Sequence, residues 1–213
     1  MGLAPEDTLG VISDVIRRGL ERREVLEQLG VLSQRHRAAY AAACAERLLP
    51  LYEWFQQVES WGDRHVLEKG AELTWNWIIT GQPQDAEIAD AVRACDDVTP
   101  NTEDFQSALV SRALDAASAV AQALEACISP LPETAADAGD IAWECAFGVE
   151  QSRILDSGTV HIADWQLLQQ AARGSLVLLE EDLQRRSLKC LQRISLTAEE
   201  AMAFRRTFSH LAE

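Results

Sequence analysis

The sequence lacks most of the short motifs that mark enzymes and metal sites. None of its five cysteines falls in a Cys-x-x-Cys pair, and none of its four histidines follows a glutamate by three residues. No His-Glu-x-x-His motif occurs, and neither does a glycine-rich phosphate loop or a Gly-x-Ser-x-Gly nucleophile elbow. Local support for zinc, di-iron, nucleotide or acyl-transfer chemistry is therefore missing. We expect no metal, no cofactor and no catalytic residues, and we favour a non-enzymatic function.

Long apolar runs and an excess of basic residues are also missing. No run approaches the roughly 20 apolar residues that span a bilayer, and the first residues do not have the pattern of a signal peptide. The 213 residues include 19 basic and 34 acidic ones, for a formal net charge of −15. Nucleic acids and anionic membranes are bound mainly through Lys and Arg, so this balance argues against both as partners. The odd number of widely spaced cysteines favours reduced thiols. We expect a cytoplasmic protein.

Period-two alternation and Asn-Gly or Asp-Gly hairpin turns are absent, whereas apolar residues recur every three or four positions along most of the chain. This pattern predicts an all-α fold, a single compact bundle of about seven or eight helices. We expect residues 1–32 to form an N-terminal helical arm and residues 33–213 to form the main helical domain. Three local expectations are a helix capped by Asn101 or Thr102, one long helix from about Ala163 to Ile194, and a capping box between Thr197 and Glu200.

One part of the chain resembles a known family. The segment from Cys44 to Tyr52, with Phe55 after it, is similar to the "CERLLPNY..F" signature of the YjaG-like bacterial family, which is catalogued as a domain of unknown function. Two further segments resemble that family's next ones: Trp61-Gly62-Asp63 with Leu67, Leu73, Trp75 and Trp77, and Phe105 with Leu114-Asp115-Ala116. The resemblance extends from about Val31 to Cys127, and Leu51 stands where the signature has Asn. It implies an all-helical fold and a bacterial cytoplasmic setting, and it carries neither an activity nor site residues.

The acidic excess is confined to the middle of the chain. Residues 51–170 contain five basic and 21 acidic residues, whereas the segments on either side are nearly neutral. Four acidic residues spaced by 4, 3 and 4 share one face of a predicted helix: Glu133, Asp137, Asp140 and Glu144. A second cluster consists of Asp96, Asp97, Glu103 and Asp104. We interpret both clusters as docking faces for a basic partner, the alternative being solvated surfaces that only favour solubility.

Aromatic residues are concentrated at the start of this acidic region. Six of them lie within 26 residues: Tyr52, Trp54, Phe55, Trp61, Trp75 and Trp77. Helical spacing predicts that Trp54 faces the core and that Trp75 points elsewhere. Trp61 or Trp75 is therefore a candidate aromatic anchor for a partner, or the wall of a pocket. Glu46 lies in an otherwise apolar helix, and we expect it at the surface, paired with Arg47 or a neighbour.

Three functions stay open at this point. The first is an acidic protein-binding module, most concretely an immunity protein that neutralises a basic, nuclease-like bacterial toxin. The second is an enzyme or small-ligand-binding protein with a pocket at the aromatic cluster, favoured if ionisable side chains converge in a closed cavity beside Trp75. The third is a homo-oligomer formed through apolar residues of the N-terminal arm, which are Val11, Ile12, Val15 and Ile16.

Overall fold

Helix follows helix in the residues that this computed structural model describes, 21–82, 84–156 and 164–210, and none of these residues forms a strand. The predicted all-α fold is confirmed. The helices are α1 (residues 21–30), α2 (Gln34–Glu46), α3 (Leu49–Glu59), α4 (Arg64–Thr80), α5 (Asp85–Asp97), α6 (Leu109–Ile128), α7 (Pro132–Asp156), α8 (Asp164–Ala172), α9 (Ser175–Leu191) and α10 (Ala198–Phe208), with a 3₁₀ turn at Thr102–Asp104.

Helix α6 lies at the centre of the bundle, in contact with α2, α3, α4, α5 and α7. Its buried side chains are mostly methyl groups, from Ala113, Ala116, Ala117, Ala119, Ala123 and Ala126. Helix α2 also buries mostly small side chains, because every residue from 38 to 46 is buried and most of these residues are alanine. Small side chains at a helix contact allow the two axes to approach toward the short end of the usual range of about 8–10 Å. The larger buried side chains, among them Tyr40, Tyr52, Phe55 and Trp75, fill the space around these two helices.

Several helix ends are set by local hydrogen bonds and turns. Asp63 caps α4 by accepting a hydrogen bond from the backbone N–H of His65 at 3.0 Å. The predicted capping box is confirmed, since Thr197 accepts from the N–H of Glu200 and the Glu200 carboxylate accepts from the N–H of Thr197. Gly62 turns the chain between α3 and α4 with φ +88°, and a Cβ there would collide with the Tyr52 hydroxyl.

The prediction of one long helix from Ala163 to Ile194 is wrong. The chain turns at Gly174, which separates α8 from α9 and has extended backbone angles. The reason lies on α7: the buried Glu150 carboxylate accepts a hydrogen bond from the N–H of Leu176 at 2.7 Å and one from the Ser175 hydroxyl at 3.3 Å. A distant carboxylate thus satisfies donors at the start of α9. A Cβ at Gly174 would collide with that carboxylate.

The predicted helix start at Asn101 or Thr102 is also misplaced. Asn101 does cap, because its side chain accepts from the N–H of Glu103 at 3.1 Å, but the element it caps is the three-residue 3₁₀ turn. Phe105 then returns to an extended conformation, and α6 begins at Leu109. The cap was recognised correctly, and the length of the element that follows it was not.

The predicted arm, residues 1–32, is covered only in part. Residues 1–20 lie outside the described residues, and with them Val11, Ile12, Val15 and Ile16. Leu29 of α1 and Leu32 are buried in the same core as the rest of the bundle. No helix in the described ranges has both the length and the apolar character needed to cross a membrane.

Candidate functional site

The segment that carries the family resemblance places two charged residues in the core. Glu46 and Arg47, at the end of α2, are 6% and 4% exposed. The expectation that Glu46 lies at the surface beside Arg47 is wrong, because each of the two residues pairs with a different distant helix. Isolated charges are too costly to bury, so both pairings are part of what holds the fold.

Arg47 is the centre of the first network. Its guanidinium donates to both carboxylate oxygens of Glu180 on α9, at 2.8 and 2.5 Å, and to the backbone carbonyl of Phe208 at 2.6 Å. Burial alone would lower the pKa of Arg47, but the Glu180 carboxylate outweighs it and the pKa is raised. Gln184 extends the network by donating to Glu180 at 2.8 Å and accepting from the Tyr40 hydroxyl at 3.0 Å. Every ionised group here is hydrogen-bonded, which is typical of a structural cluster.

Glu46 belongs to a second network that includes Trp75. It accepts from the indole N–H of Trp75 at 2.9 Å and from the guanidinium of Arg205 on α10 at 2.5 and 2.9 Å. Arg205 also donates to Glu72 at 2.5 Å and lies 5.6 Å from the Trp75 ring centre. The hydrogen bond from Arg205 lowers the pKa of Glu72. Ionisable side chains therefore do converge beside Trp75, but they face an open groove of about 1120 Å³ between α4, α5 and α10, and they neutralise one another.

The two tryptophans proposed as anchors differ in access. Trp75 is 1% exposed, so a partner has no access to its ring in this conformation, and the prediction that it points away from the core is wrong. Trp61 is 37% exposed and packs edge-on against Phe55 and Phe105, with ring centres 6.1 and 5.5 Å apart. Trp54, which was predicted to face the core, is 54% exposed. Of these three tryptophans, Trp61 and Trp54 are therefore accessible to a partner and Trp75 is not.

The acidic face of α7 is partly neutralised. Asp137 accepts a hydrogen bond at 2.8 Å from Arg22 of α1, and Arg22 also forms an ion pair with Asp140. Only the outer two residues of that face, Glu133 and Glu144, are exposed and without an ion pair among the described residues. Residues 113–152 contain no Lys or Arg, and the neutralising charge comes from a helix more than 100 positions earlier.

The second acidic cluster stays unpaired. Its members are Asp96, Asp97, Glu103 and Asp104, all exposed, and within the described ranges none of them forms an ion pair. The residue after Asp104 is Phe105, whose ring contacts Trp61. The structure therefore places one of the two predicted anchors against the residue that follows the cluster. We call this combination of four carboxylates and Trp61 the acidic surface.

Sequence reasoning placed its candidate pocket beside Trp75 and missed a partly open cavity elsewhere in the bundle. It has a volume of about 590 Å³ and lies between α3, α6, α7 and α9. Its apolar lining includes Leu51, Trp54 and Leu109, and its polar lining includes Arg112 and the buried pair of Arg47 and Glu180. Arg112 could have been noticed from the sequence, because it is the only basic residue between Arg93 and Arg153 and it interrupts an apolar helix. We call this space the α3–α7 cavity.

The described residues hold no cluster of three or more His, Cys, Asp or Glu side chains that could bind a metal ion. All five cysteines are free thiols. Four of them are buried, as expected for small apolar residues: Cys44, Cys95, Cys127 and Cys145. Burial raises their pKa values, that of Cys44 to about 11, so these thiols are poor nucleophiles.

Comparison with known proteins gives one family and one fold. The family model described as "Protein of unknown function (DUF416)" matches residues 24–209, which extends well beyond the segment where the resemblance is visible by eye. The crystal structure of a DUF416 family protein from Shewanella baltica OS155 superposes with a TM-score of 0.71 at 23% identity. The superposition covers 86% of this chain and 92% of that one. None of the curated proteins compared matches this chain.

Proposed function

The chain belongs to the DUF416 family, whose function is unknown, and we propose that this member is a non-enzymatic binding module for a basic protein. The observation that carries the proposal is the acidic surface: four exposed, unpaired carboxylates next to a partly exposed tryptophan. Unpaired charges of one sign accelerate the encounter with a partner of opposite charge. An exposed aromatic ring beside them is the kind of residue that contributes most to a protein interface.

The specific form of the proposal is an immunity protein that acts in the cytoplasm on a nuclease-like toxin. Such a toxin carries a basic surface for gripping nucleic acid, and the acidic surface would cover it. The five free thiols and the absence of any group of candidate metal ligands among the described residues support a binding role in a reducing compartment. The α7 face contributes less, because Arg22 already pairs with Asp137 and Asp140 and offsets one of their two negative charges.

The test is titration calorimetry against purified basic nuclease-type toxins from the same bacterium, at low and physiological salt. We expect affinity to fall with salt and to fall about tenfold or more in Glu103→Gln/Asp104→Asn, since paired interface charges contribute in that range. The matched control is Glu133→Gln/Glu144→Gln, which removes the same charge from α7 and should bind as wild type. Trp61→Ala should weaken binding further.

The proposal fails if no such toxin binds, or if the two double variants bind equally well. The immunity form is tested separately by co-expression. Wild-type protein should restore growth to cells that make the toxin, and Glu103→Gln/Asp104→Asn should restore it less. Binding without rescue would refute the immunity form and leave the binding module.

A further inference from the structure

The α3–α7 cavity has the size and wall composition of a small-molecule site. Its volume of about 590 Å³ falls within the range of about 300–1,000 Å³ that is usual for ligand pockets. Leu48, Leu51 and Trp54 line it from the start of α3, Leu109 from α6, Val149 from α7 and Leu176 from α9. These walls come from four parts of the chain that are fixed by separate contacts, so the cavity is preformed.

Arg112 is the unusual polar group of this lining. Its side chain is only 15% exposed, yet its guanidinium forms no hydrogen bond with any described residue. The nearest carboxylate oxygen, on Asp115, is 3.9 Å away, whereas a charged hydrogen bond spans about 2.7–2.9 Å. A guanidinium has five N–H donors, and those of Arg112 that no described residue accepts are open to the cavity. The N–H groups of Arg112 are therefore available to donate hydrogen bonds to a bound ligand.

The backbone makes room for this arginine. Gly148 of α7 lies against the Arg112 guanidinium, and a Cβ at that position would collide with it. The other buried arginine of the lining, Arg47, is fully engaged by Glu180 and by two backbone carbonyls. Arg153 lies at the rim, 58% exposed and 3.7 Å from Glu150. Among the described lining residues, Arg112 is thus the largely buried cation with the weakest pairing.

We propose that the α3–α7 cavity binds a small anionic amphiphile, a carboxylate that carries an apolar chain. The carboxylate accepts hydrogen bonds from the planar guanidinium of Arg112, whose fork geometry matches its two oxygens. The chain lies against Leu51, Trp54 and Leu109 and removes their apolar surface from water. This site is separate from the acidic surface and does not depend on the function proposed above.

The experiment compares two eight-carbon ligands that differ in their head group, a carboxylate in one and a neutral hydroxyl in the other. Octanoate and 1-octanol are titrated into the full-length wild-type protein and into Arg112→Gln by calorimetry. We expect wild type to bind octanoate at least tenfold more tightly than 1-octanol, and Arg112→Gln to bind the two alike. Arg153→Gln is the matched control, since it removes a charge at the rim, and it should keep the wild-type preference.

A second variant tests the apolar part of the site. Ala146 lines the cavity and is only partly buried, so Ala146→Phe should fill space and weaken both ligands at least tenfold. Thermal unfolding of each variant shows whether it is folded, and Arg153→Gln provides the reference. Glu103→Gln/Asp104→Asn should bind octanoate as wild type does, which keeps a failure here distinct from a failure of the acidic surface.

The proposal is overturned if wild type binds octanoate and 1-octanol equally, or if it binds neither up to the solubility of 1-octanol. It is also overturned if folded Arg112→Gln keeps the preference for octanoate, because a group other than Arg112 would then bind the carboxylate. Loss of the preference in Arg112→Gln, with retention in Arg153→Gln, is the supporting result.

Discussion

The buried pair of Arg47 and Glu180 should make α2 unusually sensitive to the loss of a single charge. In Arg47→Met, the Glu180 carboxylate keeps its buried position, at 5% exposure, but loses two hydrogen bonds and its counter-charge. The Phe208 carbonyl at the end of α10 loses its donor as well. One substitution therefore weakens the contacts of α2 with both α9 and α10.

Removing one partner of a buried ion pair typically costs about 3–5 kcal/mol, because the remaining charge is left desolvated. The whole free energy of unfolding of a domain is about 5–15 kcal/mol, so this variant should lose about a fifth of it or more. The double variant Arg47→Met/Glu180→Leu leaves no buried charge and fills similar volume. It should recover at least about 2 kcal/mol relative to the sum of the single variants.

The measurement is urea unfolding followed by far-ultraviolet circular dichroism, for wild type, both single variants and the double variant. The control is the exposed pair of Arg23 and Glu27, 76% and 64% exposed, where Arg23→Ala should cost about 0.5 kcal/mol or less. If Arg47→Met cost less than about 1 kcal/mol, or if the double variant were as unstable as the sum, the pair would not be desolvated and the reasoning would be wrong.

Three smaller perturbations follow from single positions. Gly62→Ala should cost about 1–3 kcal/mol by urea unfolding, because φ is +88° and the new methyl group collides with the Tyr52 hydroxyl, whereas Gly30→Ala faces open space and should cost nothing; equal losses would contradict this. A thiol reagent should modify Cys190 alone in the native protein and all five cysteines after unfolding, since Cys190 is partly exposed and the other four are buried; a second fast-reacting native thiol would refute it. Burial raises the pKa of Asp115 on folding, so folding favours the protonated carboxyl and ionisation opposes folding. The protonated carboxyl therefore stabilises the fold at low pH, and this stabilisation is lost as the pH rises through the folded pKa. Asp115→Asn should therefore unfold at higher temperature than wild type at about pH 7 and at the same temperature near pH 3, where both states are protonated; a lower unfolding temperature at pH 7 would show the opposite sign.

The positions of the tryptophans illustrate what periodicity can and cannot predict. A repeat of three or four residues identifies one buried face of a helix, and Phe55 and Ile78 are buried on such faces. Trp75 lies at the edge of the buried face of α4, four residues after Ala71 and three before Ile78, so the repeat is compatible with its burial. The ring of Phe204 on α10, 6.3 Å away, completes its burial. That contact comes from a helix about 125 positions later and cannot be predicted from the local pattern.

The break at Gly174 and the pairing of Arg22 have the same origin. The apolar pattern continues from α8 into α9, so the sequence predicts one helix, and only the Glu150 carboxylate from α7 explains the turn. The sequence of α7 predicts an uncompensated negative face, and only the tertiary structure shows that Arg22 of α1 pairs with it. By contrast, the capping box at Thr197 involves residues three positions apart, and it was predicted correctly. Local hydrogen bonds could be anticipated in this protein, and long-range ionic contacts could not.

Alanine has no side-chain torsions to freeze, so assembling the helices around α6 sacrifices almost no rotamer entropy. Alanine also has no side-chain torsion through which a crowded contact can adjust. A Leu or Met in a core can change rotamer to accommodate a neighbour, whereas the methyl groups of Ala116 and Ala119 cannot. An extra carbon at either position therefore has to be accommodated by shifts of the neighbouring helix. In this bundle, the small size of the α6 side chains therefore sets the spacing between α6 and the helices around it.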